Sequence, residues 1–185
     1  GGRQKGAADG RGGEGADRVG MLRRSGAGRA RTLVWGDELD RAAAARRRGV
    51  QAPPSYTIDT LRRLHRRLPR GSKVWLLIGA DQAEKFHLWR EYRQVMQLAE
   101  VLVVLRPPRR SVDALVRAMR ESGAWTDAEL LAWRGRVVRC GVKAISSTQV
   151  RAAAGRGDRA RLRRLVTPAA AGWIERRGLY GWSRG

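Results

Sequence analysis

The sequence predicts an open, mostly parallel α/β sheet with helices packed on both faces. Two short apolar runs, KVWLLIGAD and VLVVLRPP, alternate with segments of helical periodicity about 10–15 residues long. Gly, Asp or Pro ends each run, as is typical of buried parallel strands, and RVVRCG is predicted to be a third strand. Ligands bind such sheets at the carboxyl ends of their strands, where the segments GAD, RPP and ISST follow.

The amino-terminal residues 1–31 are predicted to be a disordered or aberrant segment. The first thirty residues hold ten of the 23 glycines and no aromatic residue, so they bury too little apolar surface to offset their conformational entropy. Residues 32–185 are then expected to form one domain. Its first elements would be a short strand at Thr32–Trp35 and a weak helix in RAAAARRRGVQAPP, ended by Pro53 and Pro54.

Amphipathic spacing and capping residues predict the remaining helices. SYTIDTLRRLHRRLP has an apolar stripe at helical spacing, formed by Ile58, Leu61, Leu64 and Leu68. His65 lies beside this stripe and is expected at the boundary of the core or in solvent. HLWREYRQVMQLAE is predicted to be one continuous helix. Further helices are expected to begin at Ser111, Thr126, Ser147, Asp158 and Pro168.

The formal net charge of +22 indicates a nucleic acid or anionic surface as partner only if the charge is concentrated on one face. The basic residues are instead spread along the whole chain, and only four of the 39 are lysines. Such an arginine bias, with many Ala and Gly residues, is also what a GC-rich coding sequence produces. The charge alone therefore assigns no partner.

Cysteine usage and hydropathy favour a cytoplasmic protein without a membrane partner. The single Cys140 excludes an internal disulfide and any multi-cysteine metal site, and we expect it to be a small buried side chain. No apolar run approaches the roughly 18–20 residues that span a bilayer. The amino terminus also lacks the apolar core of a signal peptide.

The segment AISSTQVRAAAG has the composition of a helix start that holds an anion. Either Ser146 or Ser147 can cap the helix, while the N–H groups of its first turn face outward. Those N–H groups and the helix dipole favour a phosphate, and Arg151, one turn along the same face, adds a charged fork. Because capped helix starts are common and most bind nothing, capping alone stays open as the alternative.

Two further places carry residues suited to a nucleotide. At the end of the first strand, Gly79 allows close backbone approach, and Asp81 can accept hydrogen bonds from a ribose or simply cap the next helix. The chain has neither a G-x-G-x-x-G nor a G-x-x-x-x-G-K-[ST] fingerprint. Trp89 and Tyr92, three residues apart on the predicted helix, form either core packing or a flat aromatic wall for a planar ring.

Five segments occur in the order and approximate spacing of one enzyme family: PSYTIDTLRRL, VWLLIGADQAEKFHLWREY, VLVVLRP, ISSTQVR and TPAAAGWIERRGLYG. From about Pro54 to Gly181 the sequence resembles the bacterial nicotinate-nucleotide adenylyltransferases. S-Y-T-x-D-T-L, G-A-D followed by F-x-x-W, and I-S-S-T-x-x-R are together specific to that family. The resemblance implies a Rossmann-like nucleotidylyltransferase fold. It also implies that ATP and nicotinate mononucleotide react to give deamido-NAD and pyrophosphate, with Mg²⁺.

The resemblance also implies which residues contact ATP. The residues that would hold ATP, chiefly its phosphates, are Ser146, Ser147, Thr148 and Arg151. Gly79 and Asp81 would contact the adenosine part. No residue of this chain is assigned as a metal ligand, so Mg²⁺ is expected to arrive with ATP.

The resemblance places the second substrate, nicotinate mononucleotide, on four other residues. Tyr56 and Thr57, together with Trp89, would hold the nicotinate ring and its carboxylate. Arg106 would lie at the rim of the pocket, near phosphate. The spacing of Trp89 from Asp81 matches the family, which favours the ring-binding role of Trp89 over core packing alone.

The sequence departs from the family at its amino terminus. Family members begin with a strand followed by G-G-T-F-D-P-x-H-x-G-H, whose two histidines bind the ATP phosphates. The nearest match here is GGRQKGAADGR, in which Ala8 and Arg11 occupy the histidine positions. We therefore expect the first β-α unit to be missing or degenerate, as in a truncated or frame-shifted gene product. No catalytic residue is assigned.

Two alternatives to an active adenylyltransferase follow. The first is a non-catalytic remnant of the family that still binds nucleotides, indicated by the absent H-x-G-H. The second is a basic nucleic-acid-binding protein that kept a nucleotidyltransferase core, which requires arginines clustered on one surface. The set of family motifs favours the enzyme over the second alternative, so ATP and nicotinate mononucleotide are the expected partners and nucleic acid is not. The oligomeric state stays open.

Overall fold

The computed structural model describes residues 12–105, 111–138 and 145–182. The chain divides into two compact units, of which the first contains residues 54–144 and the second contains residues 3–53 together with 145–185. In their described parts, the first unit holds the β-sheet and the second is helical. The second unit combines residues that precede the first unit in the sequence with residues that follow it. The expectation of one domain over residues 32–185 stays a prediction.

The described secondary structure comprises ten α-helices, three strands and two 3₁₀ turns. The strands are β1 (Trp75–Gly79), β2 (Glu100–Val104) and β3 (Val137–Val138). The helices are α1 (Gly12–Gly26), α2 (Asp37–Arg47), α3 (Thr57–His65), α4 (Ala80–Ala83), α5 (Tyr92–Leu98), α6 (Val112–Glu121), α7 (Asp127–Gly135), α8 (Ser147–Gly155), α9 (Arg159–Leu165) and α10 (Pro168–Arg177). The 3₁₀ turns are Phe86–Leu88 and Leu179–Gly181.

The sheet is parallel and has the strand order β1-β2-β3. Gly79 at the end of β1 is paired with Val104 at the end of β2, and Val104 is paired with Val138 of β3. The carboxyl ends of all three strands therefore meet at one edge. This arrangement confirms the predicted α/β class and is that of a Rossmann-like fold.

The core of the first unit lies against one face of the sheet. Ile78, Val101 and Val103 alternate with more exposed residues along their strands and are buried beneath the helices. Burying a side chain of this size contributes about 1.5–3 kcal/mol relative to leaving it exposed. On the other face of β1, Trp75 and Leu77 are 56% and 62% exposed.

Helix starts follow their capping residues, as the sequence predicts. The side chains of Ser111, Thr126, Asp158 and Thr167 each accept a hydrogen bond from a backbone N–H in the first turn of the helix that follows, α6, α7, α9 and α10 respectively. Each such cap stabilises its helix by about 1 kcal/mol. The amphipathic stripe of α3 is also confirmed, with Ile58 and Leu61 buried.

Residues 12–26 form a helix, although their glycine content predicts disorder. This helix packs against α10. Local composition does not reveal a contact between residues so far apart in the sequence. Gly20 allows the close approach, because a Cβ atom there would lie 3.0 Å from the Trp173 ring. The Arg24 guanidinium lies 3.7 Å from the centroid of the same ring, and the buried Asp17 accepts a hydrogen bond from Arg177 Nε at 3.3 Å.

The strand predicted at Thr32–Trp35 does not form. This segment has no regular secondary structure, and Leu33 is 88% exposed. An extended segment needs a neighbouring strand to satisfy its backbone groups, and residues 12–74 contain no strand. The weak helix predicted next to it forms as α2, with earlier bounds than expected. It begins at Asp37, which forms an ion pair with Arg41 at 3.1 Å, and it ends at Arg47, well before Pro53 and Pro54.

The helix predicted over HLWREYRQVMQLAE is interrupted. Trp89 has extended backbone angles after the 3₁₀ turn, and Glu91 adopts the left-handed conformation with φ 52° and ψ 41° before α5 begins. A left-handed residue other than glycine costs about 1–2 kcal/mol. The Arg62 guanidinium of α3 donates to Glu91 Oε2 at 2.6 Å and to Gln94 Oε1 at 2.5 Å, so a tertiary contact offsets the local preference for a continuous helix.

Candidate functional site

Hydrogen bonds between residues close in the sequence hold the start of α8 in place. Ser146 is the N-cap, and its Oγ accepts a hydrogen bond from the Gln149 N–H at 3.2 Å. Gln149 Oε1 accepts in return from the Ser146 N–H at 2.8 Å, which completes a capping box. The sequence allows either Ser146 or Ser147 as the cap. In the structure Ser146 is the N-cap, and Ser147 is the first residue of the helix.

The first turn of α8 presents donors to solvent. Ser147 and Thr148 are exposed, and N–H groups this early in a helix precede its i→i−4 hydrogen bonding. Arg151 is also exposed, and its Nη2 lies 3.5 Å from Thr148 Oγ1, so the guanidinium and the hydroxyl share one face. Backbone donors, a hydroxyl and a positive charge converge there, as phosphate binding requires.

The opposite face of α8 anchors the helix. Ala153 and Ala154 are fully buried in a cluster that also contains Leu162 of α9 and Ile174 of α10. The small alanine side chains let α8 approach its neighbours closely, which gives the run AAAG a structural role. The later part of α8 is therefore packed against other helices, while its first turn is exposed.

Gly79 and Asp81 lie at the carboxyl end of β1, as predicted. Gly79 has extended backbone angles and is the N-cap of α4. Asp81 lies in the first turn of α4, where its Oδ2 accepts a hydrogen bond from Gln82 Nε2 at 3.1 Å. Asp81 is thus not the cap of this helix, although an acidic residue in the first turn complements the helix dipole.

Tyr56 and Thr57 are brought together with the segment that follows the first 3₁₀ turn. Tyr56 is the N-cap of α3, and Thr57 is the first residue of that helix. The guanidinium of Arg90 lies 4.8 Å from the centroid of the Tyr56 ring, within the range of a cation–π contact. Arg90 directly follows Trp89, so the predicted ring-binding residues cluster in the first unit.

Trp89 and Tyr92 combine the two roles that the sequence leaves open. Both residues pack against the core of the first unit. They do not lie on one continuous helix, because Trp89 follows the 3₁₀ turn and Tyr92 begins α5. The Tyr92 ring meets the Trp125 ring edge-on at 5.4 Å, which is core packing. The Trp89 ring lies 4.8 Å from the buried Phe86 ring and remains partly exposed, so it is anchored in the core with one part accessible.

Ion pairs fix the carboxylates on the surface of the first unit. The hydrogen bond from the Arg62 guanidinium holds the pKa of Glu91 below its usual value. The Thr126 backbone N–H, followed by Arg93, lowers the pKa of Glu129 in the capping box of α7. Glu129 in turn raises the pKa of Arg93, whose Nη1 lies 2.9 Å from Glu129 Oε1.

Sequence reasoning missed Arg62, Glu91 and Arg90. Arg62 and Glu91 are 29 positions apart, so no local pattern links them. The only sequence signal for Arg90 is its place directly after Trp89, and this signal is weak because arginines occur along the whole chain. These contacts depend on the packing of α3 against α5, which the stripe of α3 implies only in general terms.

The predicted site residues are divided between the two units. The first unit contains Gly79, Asp81, Tyr56, Thr57 and Trp89, and the second contains Ser146, Ser147, Thr148 and Arg151. Arg106 and Cys140 lie outside the described residues. Both histidines belong to the first unit, where the His65 ring Nε2 lies 2.6 Å from the Leu98 carbonyl oxygen and His87 is part of the 3₁₀ turn.

The described residues supply neither a metal cage nor a membrane span. Within this part of the chain, no group of three or more His, Cys, Asp or Glu side chains is arranged to hold a metal ion. In the same residues, no helix has both the length and the apolar composition needed to cross a bilayer.

Comparison with known proteins points to one family. No family model matches the sequence. A probable nicotinate-nucleotide adenylyltransferase of Neisseria gonorrhoeae is 29% identical over 168 residues, covering 89% of this chain and 73% of that protein. A counterpart of Neisseria meningitidis is 28% identical over 165 residues with the same coverage, and one of Chromobacterium violaceum is 37% identical over 67 residues, 36% of this chain and 32% of its own.

The similarity extends beyond the stretch that carries the motifs. Coverage of 89% is more than the part from Pro54 onward can supply, so the match reaches into the residues before Pro54. The resemblance stated from the motifs is thereby confirmed: this chain is a divergent relative of the bacterial nicotinate-nucleotide adenylyltransferases.

Proposed function

We propose that this protein transfers the adenylyl group of ATP to nicotinate mononucleotide, giving deamido-NAD and pyrophosphate. The observation that carries the proposal is the start of α8, where Ser147, Thr148 and Arg151 present hydroxyls, first-turn N–H groups and a guanidinium on an exposed face. The relatives named for this reaction support the choice of substrates.

The chemistry asks the protein to align two anions. A phosphate oxygen of the mononucleotide attacks the α-phosphorus of ATP in line, a new P–O bond forms, and the bond to the leaving pyrophosphate breaks. No covalent enzyme intermediate is needed, so catalysis consists of positioning the reactants and offsetting charge at the transferring phosphorus. Donors and positive side chains suffice for this task, and no nucleophilic side chain is required.

In this proposal α8 binds the phosphates of ATP. Ser147 and Thr148 donate through first-turn N–H groups and hydroxyls, Ser146 holds the turn in shape, and Arg151 supplies a charge-assisted fork. ATP enters as its Mg²⁺ complex, as the resemblance to the family implies. Mg²⁺ is thus part of the substrate and offsets charge on the phosphates that it accompanies.

Residues of the first unit bind the remaining groups in this proposal. Gly79 and Asp81 contact the adenosine part at the carboxyl end of β1. Tyr56, Thr57 and Trp89 hold the nicotinate ring, and the partly exposed Trp89 ring, anchored on Phe86, is suited to stacking against it. Arg106 is proposed to lie near phosphate.

One experiment tests the proposal and its main alternative together. The purified chain is titrated calorimetrically with ATP and Mg²⁺ and then with nicotinate mononucleotide, and the same sample is assayed for pyrophosphate release. Binding of both substrates with release is the expected result. Absence of binding overturns the proposal.

A second candidate is a nucleotide-binding protein without turnover. The sequence feature that favours it is the lack of an H-x-G-H motif among the 185 residues given. Neither His65, which meets the Leu98 carbonyl, nor His87, in the 3₁₀ turn, occurs in that motif. Binding of both substrates without pyrophosphate release, in the experiment above, is the result that this candidate requires.

A further inference from the structure

Strand β1 has one free edge among the described residues. The sheet order is β1-β2-β3, so β2 pairs with one side of β1 and no described strand pairs with the other. Because the Val74 carbonyl oxygen accepts from the Glu100 N–H at 2.9 Å, the backbone groups of Val74 face β2. These groups alternate in direction along a strand, so the N–H and C=O groups of Trp75 and Leu77 point to the free edge, where a further strand can pair with them.

The face of the sheet opposite the core is apolar beside this edge. Trp75 and Leu77 are 56% and 62% exposed, and Leu102, which is paired with Leu77, is partly exposed on the same face. A parallel sheet normally has both faces buried. The free edge thus borders exposed apolar side chains, which favours a partner that also presents an apolar strand.

The free edge lacks the features that usually keep edge strands apart. Proline, charged side chains or a β-bulge commonly protect such edges from pairing with another chain. Residues 74–79 include no proline and no charged residue. The five residues of β1 pair with β2 in continuous register, without a bulge that would bend the strand. The edge is therefore open to pairing with a further strand.

The charges at the two ends of β1 have opposite signs. Arg70 and Lys73 precede the strand and are exposed, whereas Asp81 follows the strand in the first turn of α4. Two copies of β1 that pair antiparallel bring the basic end of one strand next to the acidic end of the other. Parallel pairing would bring like charges together, which is unfavourable. The strand is thus complementary in charge to an antiparallel copy of itself.

One antiparallel register uses the whole strand. When Trp75 of one copy lies opposite Leu77 of the other, Lys73 lies opposite Gly79, so no like charges face each other. Every one of these pairs joins residues whose backbone groups point to the shared edge. The Trp75 ring of each copy then packs against Leu77 of the other on the open face, and pairs of an aromatic and an aliphatic side chain stabilise antiparallel sheets. The two-fold symmetry forms each contact twice.

We infer that the free edge of β1 is a homodimer interface, in which β1 pairs antiparallel with β1 of a second copy of this chain. The pairing joins the two parallel sheets into one continuous sheet, with Trp75 of each copy opposite Leu77 of the other. This inference concerns assembly and does not depend on the reaction proposed above.

The first test is sedimentation equilibrium of the full chain at several concentrations. The wild type should dimerise and should shift toward monomer on dilution. Leu77→Lys places a charge beside the edge and removes the contact with Trp75, so the dissociation constant of the dimer should rise by about tenfold or more. Leu131→Lys makes the same change on α7, where the side chain is 70% exposed, and should leave that constant within about twofold.

The second test is cysteine cross-linking, which measures the register. In chains whose Cys140 is replaced by serine, Trp75→Cys is mixed with Leu77→Cys and the sample is oxidised. Directly opposite residues in a hydrogen-bonded pair have Cα atoms about 5.5 Å apart, within reach of a disulfide, whereas a displacement by two residues exceeds that reach. The mixture should therefore give disulfide-linked dimers, and each variant alone should give few.

Three outcomes overturn the inference. The first is a wild type that is monomeric at every concentration, and the second is equal dissociation constants for L77K and L131K, which would place the interface elsewhere. The third is cross-linking of either cysteine variant alone as efficiently as the mixture, which contradicts the antiparallel register. If L77K fails to fold, the cross-linking experiment decides by itself, with linkage of the mixture alone in support and no linkage against.

Discussion

The start of α8 and the segment Trp89–Glu91 differ in what holds them in place. At α8, a serine and a glutamine three residues apart fix the first turn through reciprocal hydrogen bonds. At Trp89–Glu91, an extended residue and a left-handed residue are held by a ring on Phe86 and by Arg62, which belongs to another helix. The first group of candidate residues is thus held by local contacts, and the second group is held by tertiary contacts.

The two groups of residues are therefore sensitive to different substitutions. A capping box is lost when one of its own residues is substituted, and the structural change stays near the turn that it caps. The segment Trp89–Glu91 can be disturbed through a distant residue such as Arg62 of α3, to which no substrate contact is assigned. Substitutions in the two parts should therefore separate effects on ATP from effects on the mononucleotide.

The largest effect is expected from Arg151→Ala. Removing the guanidinium beside Thr148 takes away the side-chain charge proposed to bind phosphate, and kcat/KM for ATP should fall by about 100-fold or more. Pyrophosphate release at limiting ATP measures this. Arg156→Ala, at the exposed C-cap of the same helix, is the matched control. Equal losses in both variants would contradict a specific role for Arg151.

The next effect concerns the aromatic candidate residues of the first unit. Trp89→Leu keeps an apolar side chain on Phe86 but removes the flat ring, and the KM for nicotinate mononucleotide should rise by about tenfold, the effect of losing one stacking contact. The KM for ATP should stay within about twofold. Initial rates at varied concentrations of each substrate measure both values. A rise confined to ATP would contradict the role proposed for Trp89.

A smaller effect is expected from the cap of α8. Ser146→Ala removes the hydroxyl that accepts from Gln149 and should lower the free energy of unfolding by about 1 kcal/mol. Ser147→Ala, one residue later, should leave that free energy within about 0.5 kcal/mol and weaken ATP binding instead. Denaturant titration and calorimetry measure the two quantities. The interpretation of the capping box is wrong if S147A is the more destabilising variant.

The smallest effect is a difference in pH dependence between two capping boxes. Glu129 of α7 has a pKa lowered by the Thr126 N–H and by Arg93, so its stabilising contribution is complete above its usual value of 4.5. That contribution is lost as the pH falls through the lower pKa of the folded state. The corresponding residue of α8 is Gln149, which does not titrate.

Glu129→Gln keeps an acceptor in the α7 box and removes the charge. We expect it to flatten the fall of the melting temperature below about pH 4.5 relative to the wild type. Glu121→Gln, an exposed glutamate at the end of α6, is the matched control. Identical melting curves for wild type and E129Q down to pH 3 would contradict the role given to this carboxylate.

The parts of the fold that the sequence predicted correctly depend on short-range chemistry. The strands β1 and β2 follow from apolar runs ended by Gly-Ala-Asp and Arg-Pro-Pro, and the helix starts at Ser111, Thr126 and Asp158 follow from single capping side chains. The start of α8 belongs to the same class. In each case the stabilising contacts lie within a few residues of one another.

The parts that the sequence did not predict depend on contacts between distant residues. The helix over residues 12–26 is supported by Trp173 and Arg177, which lie more than a hundred positions later. The break after Trp89 depends on Arg62, and the segment Thr32–Trp35 lacks a partner strand that no local pattern could reveal. Arginine-rich composition also hid Arg90 among many similar residues.

The proposed reaction joins an adenylyl group to nicotinate mononucleotide. The most direct measurement is mass-spectrometric quantification of deamido-NAD formed from ATP, Mg²⁺ and nicotinate mononucleotide, with pyrophosphate measured in the same reaction. We expect the two products in equal amounts, with formation strongly reduced in R151A. Tight binding of both substrates with no deamido-NAD formed would contradict it and leave a nucleotide-binding protein without this activity.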